Sequence, residues 1–94
     1  GKEERMFFSM LSVCEKVLHE LGINLSPDLL KHLELHIYRV VSFVKNSRMR
    51  MRSNIPALAV AALYFFLIEH GIPRSLKTLE ILAVEKLSML SSSK

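Results

Sequence analysis

Apolar residues recur three and four positions apart in the first half of the chain. The first series runs from Phe7 to Leu21, with polar residues filling most of the positions between its members. This spacing is typical of an amphipathic helix, which we predict over about residues 3–21. A second series predicts another helix over about residues 26–45. Each helix therefore has one apolar stripe to bury.

Residues that stop or start helices mark the predicted boundaries. Gly22 and Gly71 follow the last apolar positions of two series, and glycine readily adopts the left-handed conformation that ends a helix. Ser26 precedes Pro27, and this pair suits a helix start because serine caps free amides and proline fits the first turn. Ser75 is the corresponding start signal later in the chain.

Residues 55–68 are apolar without interruption, so the third predicted helix, over about 54–70, is apolar on every side. Such a helix is expected at the centre of a domain, surrounded by other helices. The run has fourteen residues, fewer than the roughly 20 that cross a bilayer, and we expect no membrane association. Two shorter patterns predict helices over about 75–82 and 88–94, the last one incomplete.

Composition favours an all-α fold and a single domain over residues 1–94. Half of the 94 residues are hydrophobic and only six are Gly or Pro, so the chain can bury a core without a metal or disulfide framework. Its one cysteine, Cys14, lies within the first apolar stripe, and we expect it to be buried and inert. We interpret the chain as a fragment of a longer protein from a reducing compartment.

Positive charge is concentrated in the middle of the chain. Residues 35–77 hold seven Lys or Arg against Glu69 alone, whereas residues 1–34 hold four against six acidic residues. Segment 46–54 contains three arginines and no clean apolar period, so we predict an exposed loop. We favour a surface for polyanions, of which nucleic acid is the commonest, over a loop that is merely solvated.

Two features near this basic segment have simpler explanations than binding. Met49 and Met51 alternate with the arginines, and we favour docking on the first helix over contact with a partner. The aromatic run at 64–66 resembles a platform for stacking bases. Because it lies in the most apolar helix, we expect it to fill the core instead.

The sequence offers no candidate for catalysis. Asp28, His32 and His36 are one helical turn apart and could share a metal ion, but polar residues at this spacing are expected on any solvated helix face. The three glycines are too far apart to form a phosphate-binding loop. We therefore expect no enzyme activity, no metal and no cofactor.

The second half of the chain resembles a known family. Ile-Asn-Leu-Ser-Pro at 23–27, Ala-Leu-Tyr at 62–64 and Glu-His-Gly-Ile-Pro-Arg-Ser at 69–75 resemble the first cyclin-like repeat of transcription factor IIB and its archaeal relatives. The resemblance covers about residues 22–88, with Ser88 matching the start of the family's helix five. It implies a cyclin-like domain of five helices around a buried helix three, here with helix five incomplete.

This resemblance implies a non-enzymatic transcription initiation module that binds duplex DNA, the TATA-binding protein or another transcription protein. Arg74 would lie beside the surface that meets these partners. The complete set of residues expected to bind DNA phosphates or an acidic partner is Lys45, Arg48, Arg50, Arg52, Arg74 and Lys77. The expected location is the nucleus in a eukaryote or the cytoplasm in an archaeon.

Two alternatives for function stay open, because similar folds have other roles. Cyclins use theirs as a scaffold for protein partners, and a subunit of the origin recognition complex uses one to bind DNA. An incomplete helix five would also leave apolar surface on helix three, which a second copy of the chain could cover in a homodimer.

Overall fold

The computed structural model describes the backbone of residues 1–47 and 55–92, and the side chains of residues 1–47 and 55–85. Four helices make up this part of the chain, and it contains no strand, so the all-α prediction is confirmed. They are α1 (Lys2–Leu21), α2 (Pro27–Asn46), α3 (Ile55–Glu69) and α4 (Leu76–Ser92).

Most predicted helix boundaries are confirmed to within a residue or so, and the local stop and start signals explain why. Gly22 and Gly71 have φ angles of 72° and 74°, the left-handed conformation expected after α1 and α3. The hydroxyls of Ser26 and Ser75 accept hydrogen bonds from backbone amides three residues later, at 3.2 and 3.1 Å. These serines therefore cap α2 and α4.

The predicted break between helices at 75–82 and 88–94 is wrong, because α4 continues from Leu76 to Ser92. Ser88, expected to begin a fifth helix, lies inside α4. Residues 83–87 include no Gly or Pro and consist of residues that tolerate a helix well. A lone serine does not interrupt such a sequence, so the described chain has four helices and the five-helix arrangement is not confirmed.

The core forms around α1 and α3, which each contact all three other helices. Within the described residues, α2 and α4 do not contact each other. The helices contribute apolar side chains to one continuous cluster. Its largest fully buried members are Phe66, Met10, Leu33, Ile37, Leu63, Leu67, Leu79, Val17 and Cys14.

Helix α3 is central, but it is not enclosed on every side. Its uniform apolarity had predicted that other helices would surround it completely. Ala59 and Phe66 are buried, yet Phe65 is 62% exposed and Ile68 is 47% exposed. The described neighbours cover only part of α3, so one face stays open. The expectation that the aromatic run fills the core is therefore right for Phe66 and wrong for Phe65.

Helices in the described part of the chain are all too short or too polar to cross a bilayer.

Candidate functional site

The predicted basic residues do not form one patch in the described structure. His36 of α2 lies against Ala62 of α3, and the earlier His32 lies against the later His70, so the two helices are antiparallel. Lys45, near the end of α2, therefore lies toward the start of α3. Arg74 and Lys77 follow the other end of α3, whose 15 residues span about 22 Å.

Three of the predicted residues, Arg48, Arg50 and Arg52, lie outside the described residues, as do Met49, Met51 and the rest of segment 48–54.

Lys45 is held by an acidic partner from α1. Its Nζ lies 2.9 Å from Oε1 of Glu3, and both side chains are more than half exposed. The hydrogen bond and the negative charge of Glu3 raise the pKa of Lys45 above its usual 10.5. The positive charge of the ammonium group is therefore already partly balanced by the Glu3 carboxylate.

Arg74 and Lys77 flank the capped start of α4, and we call this surface the Arg74/Lys77 site. Both side chains are exposed. Nη1 of Arg74 donates a hydrogen bond of 2.9 Å to the carbonyl oxygen of Pro73. The Ser75 and Thr78 hydroxyls lie 2.7 Å apart, and this contact strengthens the cap between the two cations.

The electrostatics of this helix start differ from those of α1 and α2. Helix dipoles favour acidic residues in the first turn, and α1 has Glu3 and Glu4 there while α2 has Asp28. The first turn of α4 has no acidic residue and carries Lys77 instead. The dipole and the two cations therefore add to one positive field, which can bind an anion such as a phosphate oxygen.

The histidines considered for a metal join α2 to α3 instead. Nε2 of His36 lies 3.0 Å from the carbonyl oxygen of Ala62, at hydrogen-bond distance. The ring of His32 stacks on His70 with a centroid separation of 5.8 Å. No three His, Cys, Asp or Glu side chains among the described residues are placed to hold a metal ion. These contacts explain the histidines as part of the helix packing.

Cys14 is buried, as its place in the apolar stripe predicted. Burial, with a smaller effect of the Glu15 charge, raises the pKa of its thiol from 9.0 to about 12. The Sγ atom lies 3.6 Å from the carbonyl oxygen of Ala59, to which the thiol donates a weak hydrogen bond. A neutral, buried thiol is not a nucleophile at physiological pH.

A groove between α1 and α2 was not predicted from the sequence. It has a volume of about 410 Å³ and lies between the first turns of α1 and the second half of α2. Phe8 and Tyr38 line it and are 62% and 61% exposed. The one signal in the sequence was that both aromatic residues fall outside the apolar stripes of their helices. We call this feature the α1–α2 groove.

Comparisons with protein-family models, with curated proteins and with solved structures gave no match to this chain.

Proposed function

We propose that the chain is a non-enzymatic DNA-binding module that contacts phosphates through the Arg74/Lys77 site. The observation that carries the proposal is the start of α4, where two exposed cations flank a capped helix end without an acidic residue in its first turn. Lys77 is unfavourable beside the positive end of a helix dipole. A bound phosphate group would remove this unfavourable interaction and gain the field of both cations.

The charge distribution supports contact with an extended polyanion. Arg48, Arg50 and Arg52 precede α3 in the sequence, whereas Arg74 and Lys77 follow it. Duplex DNA carries a negative charge about every 1.7 Å of its axis. A stretch of duplex as long as α3, roughly 22 Å, therefore presents many phosphates to the chain. The proposed contacts are to the phosphate backbone and carry little sequence preference.

The resemblance to transcription factor IIB supports a role in transcription initiation, with the TATA-binding protein or another transcription protein as a partner. In this proposal the fold is a cyclin-like domain in which continuous α4 replaces helices four and five. The left-handed Gly71 sets the turn that leads to exposed Arg74. A protein with this role would work in a eukaryotic nucleus or an archaeal cytoplasm, and an origin-recognition module would use the same phosphate contacts.

The direct test is the affinity for a fluorescent duplex of about two helical turns, measured by anisotropy at low salt. Replacing both Arg74 and Lys77 by glutamine should weaken binding roughly tenfold or more, because each phosphate contact releases counterions. Lys16→Gln is the matched control, since Lys16 is an exposed lysine on α1. Equal affinities for the wild type and the double variant would rule out the Arg74/Lys77 site.

A protein-association role is the second candidate, and the open face of α3 favours it. Phe65 and Ile68 expose about half or more of their surface on a helix whose only charged residue is Glu69. A second copy of the chain would bury this face in a homodimer. Sedimentation should then show a dimer that Phe65→Ser converts to a monomer. A wild-type chain that stays monomeric at high concentration argues against it.

A further inference from the structure

Four rings meet where α2 packs against the end of α3. His32 lies beside His70, with ring centroids 5.8 Å apart and an angle of 30° between the ring planes. The ring of Phe66 lies 4.4 Å from that of His70 and 6.1 Å from that of His36, measured between centroids. His32 and His36 belong to α2, Phe66 belongs to α3 and His70 follows its last residue. The packing of the two helices therefore brings together histidines that are far apart in the sequence.

The three histidines differ in what their ring nitrogens contact. Nε2 of His36 lies 3.0 Å from the carbonyl oxygen of Ala62 and is occupied by this hydrogen bond. The ring nitrogens of His32 and His70 form no hydrogen bond and no ion pair within the described part of the chain. His32 is exposed and His70 is half-buried. Solvent can therefore reach this pair, and its nitrogens are free to bind a ligand.

The separation of the two rings fits a shared metal ion. Zn–N bonds of about 2.0–2.1 Å place the centroids of two imidazoles on one tetrahedral ion roughly 5 Å apart. The observed 5.8 Å is only slightly longer, and the exposed His32 side chain can turn about its own bonds to close the gap. His70 packs on the Phe66 ring, which is 1% exposed. One of the two ligands is thus held in place and the other is adjustable.

We infer that His32 and His70 bind a divalent transition-metal ion such as Zn²⁺, and that the bound ion joins α2 to the end of α3. Zinc binds imidazole nitrogen well, whereas Mg²⁺ and Ca²⁺ prefer oxygen ligands. No third His, Cys, Asp or Glu side chain in the described residues is placed to complete the coordination. Water would fill the remaining positions, as it does in zinc sites that keep an open position.

This pair was not predicted from the sequence, which suggested a metal site on α2 alone. Two histidines of different helices come together only through packing, and the structure commits His36 to the Ala62 carbonyl oxygen instead. The pair does not include the residues of the Arg74/Lys77 site, so the inference does not depend on DNA binding. An ion that needs both helices in place binds only the folded chain and should stabilise it.

The test follows the Tm of the full chain as Zn²⁺ is added, and isothermal titration calorimetry gives the affinity. A zinc concentration about tenfold above the Kd should raise the Tm by roughly 6–11 °C. His32→Gln should weaken zinc binding by at least about tenfold, and it should fold like the wild type because His32 is exposed. His19→Gln removes an exposed histidine of α1 and is the matched control, with wild-type affinity expected. Mg²⁺ should leave the Tm unchanged.

Nuclear magnetic resonance locates the bound ion. The ring-proton shifts of His32 and His70 should change when Zn²⁺ is added, while those of His19 should stay in place. His70→Gln should weaken zinc binding as His32→Gln does, and the double variant should lose little more, since both changes remove one site. A Tm that Zn²⁺ leaves unchanged, a zinc affinity that survives His32→Gln, or an equal loss of affinity in His19→Gln would overturn the inference.

Discussion

The Nζ atom of Lys45 lies 2.9 Å from Oε1 of Glu3, and this ion pair joins the last turn of α2 to the first turn of α1. It separates the described basic residues into two kinds. Lys45 has an acidic partner, whereas Arg74 and Lys77 lie at a helix start that lacks an acidic residue in its first turn. Lys45, Arg74 and Lys77 each carry one positive charge, but Lys45 is therefore less available to a phosphate group than the other two.

The first prediction compares two lysines of equal charge. Lys77→Gln should weaken binding to duplex DNA more than Lys45→Gln does, because a phosphate must displace Glu3 before it can pair with Lys45. Anisotropy titrations of both variants at one low salt concentration measure the difference. A larger loss for Lys45→Gln would show that the Glu3 pair does not restrain Lys45.

The second prediction concerns the pH dependence of stability. The pKa of Cys14 is about 12 in the folded chain against 9.0 for an exposed thiol. Because folding raises this pKa, the buried neutral thiol makes its full contribution to the free energy of unfolding below pH 9.0. That contribution is lost as pH rises toward 12. Urea unfolding between pH 8 and 10.5 should therefore show a steeper loss for the wild type than for Cys14→Ala.

The same burial predicts that a thiol reagent labels Cys14 only when the chain unfolds. The labelling rate at pH 8 should rise steeply across the urea transition, because the thiolate and not the thiol reacts. Labelling in native buffer at the rate of the unfolded chain would contradict the burial of Cys14.

The third prediction tests the histidine that joins α2 to α3. His36→Leu replaces the imidazole ring by an apolar side chain and removes the contact of 3.0 Å between Nε2 and the Ala62 carbonyl oxygen. One such hydrogen bond contributes about 1 kcal/mol, so the Tm should fall by roughly 4–8 °C. His19→Leu, at an exposed position on α1, is the control and should leave the Tm nearly unchanged. A His36→Leu variant as stable as the wild type would show that this contact makes no net contribution to stability.

The fourth prediction tests the continuity of α4. The Cα chemical shifts of residues 83–87 should be helical without a break, since these residues lie inside Leu76–Ser92. Glu85→Pro should lower the helical signal in circular dichroism, because proline inside a helix costs about 3 kcal/mol. Coil-like shifts at 83–87, together with an unchanged helical signal for Glu85→Pro, would contradict a continuous α4. They would support the two separate helices predicted from the sequence.

Local chemistry explains what the sequence predicted well. Gly22 and Gly71 end helices through their own φ angles, and Ser26 and Ser75 cap amides three residues away. These effects depend only on neighbouring residues and not on the rest of the chain. Cys14 was predictable for a similar reason, since its burial follows from a repeating apolar stripe.

Tertiary arrangement explains what the sequence could not predict. Glu3 neutralises Lys45 only because α1 and α2 pack side by side, and no pattern in the sequence links the two residues. The face of α3 that carries Phe65 stays open because the described neighbours cover only the rest of that helix. The α1–α2 groove likewise depends on the packing of Phe8 opposite Tyr38.

The salt dependence of binding to duplex DNA tests the central claim most directly. The logarithm of affinity should fall linearly with the logarithm of salt concentration, by about 0.9 for each phosphate contact. The double variant Arg74→Gln and Lys77→Gln should therefore show a slope about 1.8 smaller in magnitude than the wild type, and Lys16→Gln should keep the wild-type slope. Identical slopes for the wild type and the double variant, or no affinity for duplex DNA, would contradict the account.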